Sequence, residues 1–253
     1  MKSQLAIELS ENSVKFTTIQ DGLVETIDNF VFKDKIDYQY KEQLERIFQE
    51  KKYKERDFDD YSLSWYSPLS TLIPSNVFSE VKPEDIFNLS FSKNIPLSHI
   101  DYNRIPELSL VNIFEIPLWV KSFFVIKFPR IVIQNEGSFL LRSIFKSSSS
   151  KSSTLIIIHE NSFNLILTDK NELQFYSNFN YLNSDDIIYH VLFSLQQKNM
   201  FNENNSISLL LGSGANEECV NEVKLKLLKF KEIVDSKVEI NKQTLLNSHI
   251  QCV

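Results

Sequence analysis

The chain has 253 residues, of which 42% are hydrophobic and 24% charged, a composition with enough apolar material for one large domain or two ordinary ones and unlike that of a disordered chain. Its formal net charge is −6, which argues against a nucleic-acid binder, since such a protein needs a basic face to neutralise phosphates. Two cysteines far apart, Cys219 and Cys252, exclude a disulfide framework; acidic residues arrive too early for a signal peptide; and no apolar run approaches the roughly 20 residues needed to cross a bilayer. The expectation is a cytoplasmic protein with no transmembrane segment. Only 4 glycines stand against 20 phenylalanines, so turns that want positive φ must be built from Asn, Asp or Ser.

In chain order, strands are predicted at Leu5–Leu9, Val14–Ile19 and Val24–Phe32, joined by tight polar turns. A helix follows from Asp37 to Lys52, with Tyr40, Leu44, Ile47 and Phe48 on one face, and then a strand at Tyr61–Tyr66. Prolines 83, 96, 106, 117 and 129 cut the next stretch into short pieces, with strands near Val111–Ile116 and Arg130–Ile133 and helices near Trp119–Ile126 and Glu136–Phe145. The run KSSSSKSS, Lys146 to Ser153, is a polar connector. Strands are then predicted at Thr154–Ile158, Phe163–Leu167 and Glu172–Tyr176. A helix starts with Asn183 or Ser184 as its N-cap, carries Asp185 and Asp186 in its first turn, and repeats Ile187, Ile188, Val191, Leu192 and Leu195 at helical spacing. A strand at Ser206–Leu211 and a helix at Asn216–Lys229 complete the second half.

The two halves carry the same element order, and the sequence repeats faintly as well. At a shift of 149 residues, segment 11–40 matches segment 160–189 at seven of thirty positions, where unrelated segments would give roughly two. Strand–strand–strand–helix–strand–helix is the ribonuclease-H-like unit. The fold class expected is therefore α/β: a duplicated ribonuclease-H-like, actin-like ATPase fold of two βββαβα lobes with mixed sheets. The N-terminal lobe is expected over 1–146, with a small insertion near 83–110, and the C-terminal lobe over 154–253.

The first hairpin, IELSENSVK, resembles that of the actin-like ATPase of type IV pilus assembly and its cell-division relatives, D-[IVL]-G-x-x-[ST]-[VIT]-K, with Glu8, Leu9, Ser10, Ser13, Val14 and Lys15 at the corresponding places. Over nearly its full length the chain is similar to a bacterial family, domain of unknown function 3822, in the stretches LAIELSENSVKF, TLIPSNVF, VNIFEIP, LQFYSNFNYLNSDDIIYHVLFSLQQ and SLLLGSG. The resemblance implies an actin-like fold, in which ATP is clamped between two halves by glycine turns, with aspartates holding Mg²⁺ through water. Candidate nucleotide-binding residues are then Glu8, Ser10, Ser13, Lys15, Gly212, Ser213 and Gly214.

The match is incomplete. Glu8 stands for the first Asp and Ser10 for the first Gly, where a Cβ occupies phosphate space and disfavours positive φ. The alternative for this hairpin is a solvated turn with Glu8 and Lys15 on its outer faces. The repeat puts Ile157 where the second Asp belongs and His159 where its Gly belongs, and His159 reads as an exposed turn residue. Gly212-Ser213-Gly214 survives after a buried strand and before a helix, where a glycine serves anion binding or mere steric need equally well.

No catalytic or metal set emerges: the four histidines, 99, 159, 190 and 249, lack ligand spacing, and no Walker or GxGxxG motif is present. The stretch IPLWVKSFFVIKF reads first as core packing and second as a docking surface for a partner or membrane. The function expected is a non-catalytic actin-like scaffold or protein-interaction module with a degenerate nucleotide site and no cofactor. The alternative is an ATP–Mg²⁺-binding protein with weak or no hydrolysis. A protein partner of unknown identity is expected, no nucleic acid, and a homo-oligomer is compatible with the reading.

Overall fold

A computed structural model describes residues 2–32, 37–51, 53, 57–92, 94–146, 151–201, 205–230, 238–240 and 248–250. Lys52, Cys252 and positions 147–150 of the serine-rich connector lie outside the described residues. Thirteen strands and six α-helices are laid out over them. The first lobe runs β1 (Ser3–Leu9), β2 (Ser13–Gln20), β3 (Leu23–Val31), α1 (Asp37–Lys51) and β4 (Asp60–Trp65). Next come β5 (Ser70–Pro74), α2 (Pro83–Phe91), β6 (Ile100–Ile105), β7 (Leu110–Glu115), α3 (Leu118–Lys127), β8 (Val132–Asn135) and α4 (Glu136–Lys146). The second lobe has β9 (Ser153–Ile158), β10 (Ser162–Asp169), β11 (Glu172–Asn180), α5 (Ser184–Gln197), β12 (Ser206–Leu211), α6 (Glu217–Leu227) and β13 (Val238–Ile240).

The duplication is written in the strand order. One sheet is ordered β3-β2-β1-β4-β8 and the other β11-β10-β9-β12-β13. In both, the first three strands pair antiparallel and the last three parallel. Second strands begin at Ser13 and Ser162 and third strands at Leu23 and Glu172, each pair 149 apart (162 − 13 and 172 − 23). This is the duplicated ribonuclease-H-like, actin-like fold that the element pattern predicts.

By contacts the chain divides into two compact units, one holding the described residues within 1–105, 109–139 and 246–253, the other those within 106–108 and 140–245. In the first unit, Leu5, Ile7 and Leu9 of β1, Val14 and Phe16 of β2, and Leu63 and Trp65 of β4 meet Leu44 and Phe48 of α1 and Phe123 and Phe124 of α3. Phe48 lies within 6.2 Å, centroid to centroid, of Phe16, Phe123, Phe124 and Phe128, so part of the phenylalanine excess builds this core. The stretch IPLWVKSFFVIKF is α3, buried through Val120, Phe123 and Phe124, with Val125 and Ile126 outside. A separate antiparallel sheet, β5-β7-β6, packs α2 through Phe87, Ile100, Val111 and Ile113.

The second unit is built alike around Ile156, Ile158, Phe163, Leu165, Leu167 and Leu209, under Ile187, Val191 and Leu195 of α5 and Val220 and Val223 of α6. Glycine scarcity shows at the turns: Asp21, Ser92, Ser109, Lys170, Asn171 and Asn199 take positive φ without being glycine. Both β2–β3 (Asp21, Gly22) and β10–β11 (Lys170, Asn171) close through two residues at positive φ, as two-residue hairpin turns require, and the second does so without a glycine. No helix of the described residues is long and apolar enough to cross a membrane.

Candidate functional site

In the first lobe the site begins where β1 turns into β2. Ser10 is 4% exposed and does not take positive φ, so its Cβ carries no backbone strain here. Its hydroxyl oxygen instead builds the turn, accepting from the Asn12 N–H at 3.2 Å and the Ser13 N–H at 3.1 Å, while its own N–H donates to the Ser13 carbonyl at 2.9 Å. Ser13 Oγ lies 3.3 Å from Ser10 Oγ. The backbone N–H groups that a glycine turn would offer to an anion are therefore partly engaged by Ser10 itself.

Glu8 and Lys15 are not on solvated outer faces. They face each other across β1 and β2, and Lys15 Nζ donates to Glu8 Oε1 at 2.9 Å, with side chains 29% and 16% exposed. Burial pushes the Glu8 carboxyl above its ordinary range; Lys15 pulls it back, and the nearby Glu136 carboxylate pushes it up again. The sheet register extends this polar row laterally, from Lys15 through Glu8 and Ser64 to Gln134. Ser64 and Gln134 are buried, and Ser64 Oγ and Gln134 Oε1 have no hydrogen-bond partner among the described residues.

Asn135 fixes the neighbourhood. Its Oδ1 accepts from the Gly137 N–H at the start of α4 and from Asn112 Nδ2, each at 3.0 Å, and its Nδ2 donates to the Trp65 carbonyl. Ser64, Gln134 and Glu136 are absent from the sequence-predicted set. The available signal was the Ser62–Ser64 alternation against Tyr61, Leu63 and Trp65 in β4, and the polar end of β8 running into α4.

The same face of the sheet carries His249 and Ile250. His249 is fully buried, its ring centroid 4.6 Å from that of Phe139 at a tilt of 32°, with Nδ1 2.7 Å from Ser62 Oγ. The His249 carbonyl accepts from Gln4 Nε2 at 3.1 Å, and Ile250 packs on Ala6 and Ile19. Burial, reinforced by the Lys15 charge, holds the imidazole neutral, with its pKa pulled down to about 3.

In the second lobe, Ile157 is fully buried at the place equivalent to Glu8, so that half has no carboxylate there. His159, equivalent to Ser10, is 1% exposed, correcting its reading as an exposed turn residue. The backbone repeats the first hairpin: the His159 N–H donates to the Ser162 carbonyl at 2.8 Å, as Ser10 does to Ser13 at 2.9 Å. The imidazole lies across the Gly212-Ser213-Gly214 turn, where Nδ1 accepts from the Ser213 N–H at 3.0 Å. A Cβ at Gly212 would sit 2.4 Å from the His159 ring, and one at Gly214, whose φ is +68°, 3.1 Å from Glu160 Cβ. The Gly212 N–H donates to the Ile158 carbonyl at 2.7 Å. Tyr181 Oη closes the cluster, donating to the His159 carbonyl at 2.5 Å and the Glu160 carbonyl at 3.0 Å. Burial pushes the Tyr181 hydroxyl up, keeping it a donor. The ring fills the space on the Cβ side of Gly212, and two of the turn's N–H groups are already bonded.

Each lobe therefore brings its own predicted residues together: Glu8, Ser10, Ser13 and Lys15 in the first, Gly212, Ser213 and Gly214 in the second. Among the described residues no group of three or more His, Cys, Asp or Glu side chains is arranged to hold a metal ion. The structure is similar to that of a Bacteroides thetaiotaomicron protein with an actin-like ATPase fold and unknown function, at TM-score 0.80 and 16% identity, covering 100% of this chain and 96% of that one. It is also similar to a chain of the PilM–PilN type IV pilus biogenesis complex, at TM-score 0.53 and 10% identity, covering 94% and 88%. No curated protein matches by sequence. The profile of one family, "Protein of unknown function (DUF3822)", matches residues 1–225, and the chain belongs to that family.

Proposed function

We propose that the protein is a non-catalytic actin-like scaffold or protein-interaction module, cytoplasmic, whose nucleotide site is degenerate. The observation that supports this is the His159 ring seated against Gly212, with its Nδ1 bonded to the Ser213 N–H. A turn of a kind that suits an anion has one donor and the Cβ side of Gly212 taken by the His159 side chain, and a second donor taken by the Ile158 carbonyl. Ile157 adds no charge, and Glu8 is paired with Lys15. A partner-binding role fits a fold that also occurs in a PilM–PilN complex.

A second reading, an ATP–Mg²⁺-binding protein with weak or no hydrolysis, is favoured by the first lobe. Among the described residues, Ser64, which pairs with Glu8 in the sheet, and Gln134 on the next strand present buried oxygens without a hydrogen-bond partner. Thermal melts with and without Mg-ATP separate the two. A ligand at 100 times its Kd stabilises the native state by about 2.7 kcal/mol, so a true binder melts visibly higher. The scaffold reading expects an unchanged melting temperature at millimolar Mg-ATP and no phosphate release. Steady turnover would refute it, and a shift without turnover would establish the second reading.

A further inference from the structure

Ser248–Ile250 lies on the face of the first sheet turned away from α1 and α3, and its contacts fall within the first compact unit. Ile250 packs with Ala6 and Ile19 in a small cluster separate from the core around Phe16 and Phe48. The His249 carbonyl takes one bond from Gln4, its ring meets Ser62 and Phe139, and Ser248 and His249 are fully buried. The segment is thus held by few contacts and still buries a titratable group.

The donors and acceptors fix the state of that group. Ser62 Oγ accepts from Gln4 Nε2 at 3.1 Å, so its own proton goes to His249 Nδ1, 2.7 Å away, and the imidazole proton sits on Nε2. The other tautomer would leave both the Ser62 proton and Nε2 without partners among the described residues. Nε2–H is itself buried with no such partner. A second proton must therefore enter at Nδ1, where it turns the one acceptor of the ring into a donor facing a donor.

The surroundings do not welcome the charge either. On this face β1 brings Glu8, bonded to Lys15 of β2, and β4 brings Asp60, paired with Lys2. On α4, Glu136 and Arg142 stand three residues either side of Phe139, and Arg142 is paired with Glu107. The charge felt at the ring is that of Lys15, of the same sign as an imidazolium.

We propose that Ser248–Ile250 is a pH-released strap: in mild acid His249 takes a proton from solvent and the segment lifts from the first sheet while both lobes stay folded. Lifting hydrates the imidazolium at the expense of the contacts above alone, whereas global unfolding gives up the cores as well. Burial and Lys15 hold the ring at a pKa of about 3 when the strap is closed, against 6.5 when it is free. Closure is therefore undiminished above pH 6.5 and weakens about tenfold for each pH unit below it. Release uncovers Ala6, Ile19 and Phe139 on the face that carries the Glu8–Lys15 pair. The proposal is independent of whether a nucleotide binds.

Histidine side-chain NMR of the full chain between about pH 7.5 and 4 tests it, with the ring assigned through His249→Gln and amides of β1 and β9 reporting on the lobes. The expected result is a His249 midpoint between about pH 4 and 6 while those amides keep their native shifts. Ile250→Ala, which reduces the apolar contact of the strap, should raise that midpoint by about half a unit. A ring that stays neutral until the lobe signals are lost would overturn the proposal. So would a midpoint that Ile250→Ala leaves in place, because the ring would then be titrating without release.

Discussion

Gly212 is held by a histidine ring. Because a Cβ there would stand 2.4 Å from the His159 imidazole, Gly212→Ala should cost about 1–3 kcal/mol in urea unfolding. His159→Ala should also destabilise, since it strands the Ser213 N–H. The double variant should be less destabilised than the sum of the two by about 0.5–3 kcal/mol; strict additivity would mean the ring does not occupy that space.

His249 makes a second test. Its pKa is about 3 when folded against an ordinary 6.5, so between those values the unfolded chain binds a proton that the folded chain excludes. The stability that neutral His249 supports is whole above pH 6.5 and falls as pH drops toward 3, by about 2 kcal/mol between pH 6.5 and 5. Chemical denaturation at several pH values should show that slope, and His249→Gln should flatten it. An unchanged slope in the variant would place the titrating group elsewhere.

Elements with local signatures were legible, and those defined by distant partners were not. The α5 cap is an example of the first kind. Asn183 accepts from the Asp185 and Asp186 N–H groups while Asp186 returns the bond to the Asn183 N–H, and the asparagine followed by two aspartates announced this. Asn183→Ala should cost about 1 kcal/mol, read from the urea midpoint; a shift near zero would show that α5 is held by its packing alone. The strand–strand–strand–helix order was legible because period-2 and period-3.6 patterns are local.

The burial of His159 was not legible. A polar turn residue looks exposed until its partner, Ser213, arrives from 54 residues further along. Ser64, Gln134 and Glu136 were missed for a similar reason: β4 reads as a strand with one buried face, and only the sheet order reveals that its serine face is buried too. Nothing periodic marks Ser248–Ile250, whose place on the first sheet depends on single contacts with Gln4, Ser62 and Ala6.

Across the chain, duplication has preserved backbone and changed chemistry. The hairpin bonds of Ser10 and His159 superpose in kind, while the side chains at Glu8 and Ile157 share nothing. One lobe keeps an ion pair in a polar row; the other packs a ring over its glycine turn. Selection for a triphosphate ligand would be expected to keep both halves open to it, and a scaffold is under no such constraint.

Titration calorimetry of the full chain with Mg-ATP, repeated on Glu8→Ala, addresses this without relying on turnover. We expect no binding heat from the wild type at millimolar nucleotide. A saturable isotherm with a micromolar Kd that Glu8→Ala abolishes would contradict the account.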